Sequence, residues 1–120
     1  MLNERKNDLL CVRGNCEAEV DQMVLEFPCL ADYSSIFVDG KMIYVTHGHI
    51  YNKDNLLCKN PGDIMIYGHT HVPLNALVDG VRVLNPGSVS IPKQDSWHGY
   101  IVYEDGAFVW KNLEGEVQDI

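Results

Sequence analysis

Apolar residues along this chain fall mostly in short alternating runs broken by Asp-Gly pairs. The segments "SSIFVDGKMIYVTHGH" (34–49), "LNALVDGVRVLNPGS" (74–88) and "GYIVYEDGAFVWKN" (99–112) share that form. Each predicts a hairpin whose two-residue turn is Asp39-Gly40, Asp79-Gly80 or Asp105-Gly106, because Asp and Gly accept the left-handed backbone such turns require. "DIMIYGHTH" (63–71) reads as a further apolar strand emptying into a polar loop, and "DLLCVRGN" (8–15) as a short buried strand delivering Asn15. Helical spacing occurs early. In "CEAEVDQMVLEF" (16–27), Val20, Met23, Val24 and Phe27 share one face, acids occupy the first turn, and Pro28 ends the run. Residues 51–60 suit a second short helix before Pro61 and Gly62. No solenoid repeat, low-complexity tract or linker divides the chain, so the expectation is one strand-rich α/β domain over residues 1–120.

Composition narrows the functions open to such a domain. At 120 residues and 46% hydrophobic the chain can bury one core. A net charge of −8 removes the positive stripe that nucleic acid or an anionic membrane would need, so neither is expected as a partner. No apolar run approaches the roughly 18 residues of a membrane span, and "MLNERKND" lacks the apolar stretch of a signal peptide, which makes the cytoplasm the expected location. Cys11, Cys16, Cys29 and Cys58 form no C-x-x-C pair and fit reduced thiols better than a zinc knuckle or disulfide framework.

The candidate chemistry gathers at strand ends. Three predicted strands finish in Gly14-Asn15, His47-Gly48-His49 and Gly68-His69-Thr70-His71, and ligands collect at the carboxyl ends of strands in α/β sheets. Four of the five histidines lie in the two H-x-H pairs. Imidazole is neutral near pH 7 and is the usual nitrogen ligand of zinc, manganese, iron or nickel. On a strand such a pair shares one face; in a loop its members can reach different ions. Asn15 caps a helix or lends an amide oxygen, and Arg13 makes a surface ion pair or meets an anion. Asn85-Pro86-Gly87-Ser88 is a turn first, or else a brace for the His69–His71 loop or a backbone approach to ligand.

Taken in order, "VRGNCEAEVDQM", "THGH", "YGHTHVP" and "NPGSVSIPK" resemble the small calcineurin-like metallophosphoesterases, and in particular their YfcE-type branch, from about Leu9 to Val109. The resemblance implies a two-layer β sandwich flanked by helices and a di-metal centre that hydrolyses phosphodiesters, with manganese as the first expectation and nickel or zinc as alternatives. By position it assigns Asn15, His47 and His69 to one metal and His71 to the other, with His49 facing the phosphate and Arg13 available to it. Cys16 stands where many relatives carry a histidine that assists catalysis; a thiol there is a weaker proton donor, which suits small diesters with good leaving groups.

The family's D-x-H motif and the G-D aspartate that bridges its metals normally precede the G-N segment, and only residues 1–14 precede Asn15 here. The resemblance therefore implies a truncated domain with impaired activity, at most one well-occupied metal, and an uncovered face closed by homo-oligomerisation. A non-catalytic, Vps29-like binding or scaffold module is the alternative, and a small structural-zinc protein built on the histidine pairs is a third reading.

Overall fold

The computed structural model describes residues 1–15 and 19–120. Two sheets form its two layers. The larger has the strand order β1-β2-β3-β5-β4, with β1 (Tyr33–Val38), β2 (Lys41–Thr46), β3 (Ile64–Tyr67), β4 (Leu74–Val78) and β5 (Val81–Asn85). The smaller has the order β6-β7-β8, with β6 (Gly99–Glu104), β7 (Ala107–Asn112) and β8 (Val117–Gln118). The expected sandwich is present, with few helices beside it.

All three Asp-Gly pairs turn hairpins as their chemistry predicts. The φ values are 51° and 76° at Asp39 and Gly40, 51° and 82° at Asp79 and Gly80, and 52° and 79° at Asp105 and Gly106. Left-handed backbone at both turn residues matches the right-handed twist of the flanking strands. The central strands β2, β3 and β5 run parallel, and β1 and β4 pair antiparallel at the edges. Every residue of β3 and β5 is at least partly buried, as expected of parallel strands covered on both faces. On one face Met65, Tyr67, Val81 and Val83 pack with Cys58, Leu56 and Leu57 of the 51–60 segment. On the other, Ile43, Ile64 and Leu84 meet Trp110, Ile101 and Phe108 of the smaller sheet.

Three predicted elements differ. Residues 8–15 form no strand; a 3-10 helix spans Asn3–Asp8, and the segment after it is tied by the Arg13 N–H bond to Ala31 O at 2.7 Å. An apolar run becomes a strand only where a neighbour takes up its backbone groups, and among the described residues no sheet takes up this one. Residues 51–60 are turns rather than helix. Asn52 and Asn55 exchange backbone bonds of 3.1 Å while their side-chain amides donate to Gly48 O and Ile50 O, so asparagines compete for the groups a helix would use. The helix α1 covers Glu19–Val24 and buries none of its residues. Val20, Met23 and Val24, expected on a core face, are exposed, and only Phe27, beyond the helix, is buried. Strand β8 carries no signal in the sequence pattern.

Among the described residues, Cys29 and Cys58 are free thiols, and no helix is long and apolar enough to cross a membrane.

Candidate functional site

Parallel pairing of β2 with β3 sets the site. The register aligns Thr46 with Tyr67, so the chain leaves both strands side by side, and Gly68 N–H donates to His47 O at 2.8 Å. Between His47 and His49 sits Gly48, buried with φ 117°. A β-carbon there would meet Tyr67 Cδ2 at 2.8 Å and His69 Cβ at 3.0 Å. Only glycine lets the two loops close to this distance.

Their approach brings three imidazoles together. Ring centroids of His47 and His69 lie 5.0 Å apart, those of His47 and His49 5.1 Å, and those of His49 and His69 6.4 Å. The Nδ1 atoms of His47 and His49 are 3.0 Å apart. That separation suits a hydrogen bond, and it also suits two nitrogens sharing an ion at about 2.0–2.1 Å, whose mutual distance is about 3.0–3.4 Å. Among the described residues, however, no three His, Cys, Asp or Glu side chains are arranged as a complete ligand set. Three imidazoles in mutual contact are donor chemistry that suits a divalent metal.

His71 is turned elsewhere. It and His69 have left-handed φ values of 63° and 66°, and the Thr70 N–H bonds Gly68 O at 2.7 Å, making a tight knot. The Nδ1–H of His71 donates to Ile91 O at 2.7 Å, which leaves Nε2 as the nitrogen that could act as a ligand. Arg13 and Asn15 are both exposed, Asn15 in a turn at the end of the amino-terminal segment. Cys16 lies outside the described residues. The structure thus brings His47, His49 and His69 into ring contact, whereas His71 faces the 88–96 segment.

Asn85 is the residue whose part the sequence pattern left open. It is fully buried at the end of β5. Its Nδ2 donates to Gly68 O at 2.9 Å and to Thr70 Oγ1 at 3.1 Å, and its Oδ1 accepts from Gly87 N–H at 2.9 Å. The brace reading of Asn85–Ser88 therefore holds. An asparagine ending an apolar strand beside Pro-Gly is the only local signal for it, since the partners lie 15 and 17 residues away.

Beneath the site, burial pushes the Tyr67 hydroxyl pKa up, with the Lys53 backbone N–H pulling it down and the Asp54 charge adding to the rise. A cavity of about 240 Å³ lies beside it, lined by Lys53, Thr70, Val72 and Gln94 among others.

The model of the calcineurin-like phosphoesterase superfamily domain matches residues 1–105. Phosphodiesterase YfcE of Escherichia coli K12 is 44% identical over 92 residues, which cover 77% of this chain and 50% of that protein. The probable metallophosphoesterase YsnB of Bacillus subtilis is 28% identical over 121 residues, covering 91% of this chain and 67% of the relative. A solved structure of the E. coli phosphoesterase YfcE superposes with a TM-score of 0.91 at 35% identity, covering 97% of this chain and 64% of the other. The chain spans about half the length of the curated YfcE protein it matches.

Proposed function

The chain belongs to the calcineurin-like phosphoesterase superfamily, and from that premise we propose that it acts in metal-dependent hydrolysis of small phosphodiesters. The observation that carries this reading is the meeting of His47, His49 and His69 at the ends of adjacent parallel strands. Similarity to a protein named as a phosphodiesterase supports the reaction class. A divalent ion held there would polarise a phosphoryl oxygen and make water a nucleophile near neutral pH.

The residues divide the remaining work. His47 and His69 would hold the ion, joined by the amide oxygen of Asn15, and the Nε2 of His71 would serve a second, weakly held one. His49 orients the phosphate, Cys16 stands by as a weak proton donor, and Arg13 offers charge to the anion. Manganese is the proposed ion, with nickel and zinc as alternatives, and the proposed location is the cytoplasm. Among the described residues no carboxylate completes a ligand group with the histidines. With three imidazoles gathered at one place, we propose one well-occupied ion per chain and slower turnover than a two-ion centre gives. Exposed apolar side chains on β1 and α1 support self-association of the chain.

The test is hydrolysis of bis-p-nitrophenyl phosphate with added manganese, wild type against His69→Ala. Loss of at least most of the activity in the variant is expected; equal rates would overturn the reading.

A further inference from the structure

We propose that Asn85 is the positioning residue that holds the His69–Thr70–His71 loop in its ligand-bearing shape. The inference rests on the metal reading given above for its functional consequence, and on geometry alone for its structural one.

A primary amide has two N–H donors in one plane and one acceptor oxygen. At Asn85 the nitrogen is engaged by the carbonyl just before His69 and the hydroxyl just after it, and the oxygen by the Gly87 N–H. The Asn85 backbone oxygen is itself held by the Trp110 indole N–H at 2.8 Å, and the whole residue is sealed from solvent. A chain of bonds therefore runs from the second sheet, through β5, to both flanks of His69. Two left-handed residues so close together are costly to hold; the amide stabilises that shape from the core side.

Thr70 completes the arrangement. Its Oγ1 accepts from Asn85 and from the Val72 N–H at 3.3 Å and lies 3.4 Å from Val72 O, so its proton has a place to go. No other side chain of this size replaces the amide. Aspartate would set acceptors against Gly68 O, which has no proton to give, and leucine would leave that carbonyl without its side-chain donor.

The segment that follows extends the brace to His71. Ser88 Oγ accepts from Ile91 N–H at 2.9 Å, Ile91 O takes the His71 Nδ1–H, and Lys93 N–H bonds His71 O at 3.0 Å. Residues 85–93 thus grip both histidines of the loop from one side.

Cobalt(II) serves as probe, because its visible absorption reports ligand geometry, and amide hydrogen exchange of the metal-free protein reports the loop independently. Asn85→Asp and Thr70→Val are expected to weaken cobalt binding about 10–100-fold and to alter the absorption band. Both should speed exchange at residues 69–72 in the absence of metal, and Thr70→Ser, which keeps the hydroxyl, should restore both readouts relative to Thr70→Val. Thr70 is exposed, so its variants keep the test decisive even if Asn85→Asp does not fold. Wild-type affinity and wild-type loop exchange in folded Thr70→Val would overturn the proposal. If the wild type binds no cobalt, the metal reading fails, and faster loop exchange in the variants still supports the positioning role while unchanged exchange refutes it.

Discussion

A methyl group added at Gly48 would press on the ring of Tyr67, on His69 Cβ and on Gly68 O at 3.1 Å, all at the seam where β2 and β3 end. None of these is the free end of a flexible chain, and the φ of 117° is itself unfavourable for any other residue. Gly48→Ala should therefore lower stability by about 2 kcal/mol or more, from backbone strain and overpacking together. The measurement is the urea midpoint at unchanged slope, and a loss below about 0.5 kcal/mol, within the ordinary range of surface changes, would contradict the packing described. The histidine pairs were legible because H-x-H after an apolar run is an unusual place for imidazole. Their regrouping was not. That His69 joins His47 and His49 while His71 turns to Ile91 depends on left-handed residues and on acceptors supplied from 20 positions away. Asn85 was half legible for the same reason: a turn can be read locally, but the loop it grips cannot.

The Asp-Gly hairpins show how a local signal becomes an element, and they separate two costs. Gly40 and Gly80 have the same left-handed role, yet a β-carbon at Gly40 meets nothing within 4 Å, while one at Gly80 meets Pro61 Cβ at 3.1 Å. Gly40→Ala should cost about 1 kcal/mol, the backbone term alone. Gly80→Ala should cost more, because Pro61 must also shift; equal losses in denaturant titration would show that the Pro61 contact carries no weight. Elements with both a turn and a pattern were read correctly. Residues 8–15 have the pattern without a partner strand, and in 51–60 the side chains of Asn52 and Asn55 bind the backbone groups a helix would use.

The 51–60 loop also leaves a mark on pH dependence. Burial, then the Asp63 charge, pushes the Cys58 thiol above its ordinary 9.0, and burial first of all pushes Tyr67 above 10.0. Tyr103 moves the same way, chiefly because its hydroxyl donates to Asp39. These groups keep their protons in the fold at pH values where the unfolded chain releases them. Their contribution is complete below the unfolded values and is lost as pH rises through 9 to 10 and beyond. Stability should fall on that alkaline side. In Tyr67→Phe the fall should be shallower than in wild type, though not abolished, since Cys58 and Tyr103 remain; an identical alkaline slope would assign the effect elsewhere.

At the scale of the whole molecule, the two layers are joined by apolar packing around Trp110, while the outer strand and the short helix are left with uncovered apolar groups. Phe37 on β1 is 68% exposed, and Met23 and Val24 of α1 are 83% and 65% exposed. Strand β1 has β2 on one side and no strand on the other among the described residues, so its outer backbone groups are open to pairing. Burial of such surface favours association, and the net charge of −8 opposes it. The balance makes association depend on salt: screening shortens the reach of the repulsion from about 30 Å at 0.01 M to about 10 Å at 0.1 M and leaves the apolar term in place. Sedimentation velocity should show a faster species growing with protein concentration, and growing further when salt is raised. Phe37→Lys removes apolar surface and places a charge on the open edge, a device that natural edge strands use to stay unpaired. It should sediment as a monomer at concentrations where the wild type associates, with unchanged far-ultraviolet dichroism. A wild type that stays monomeric in high salt would mean that this face is tolerated exposed, and a Phe37→Lys variant that still associates would move the contact from β1 to α1.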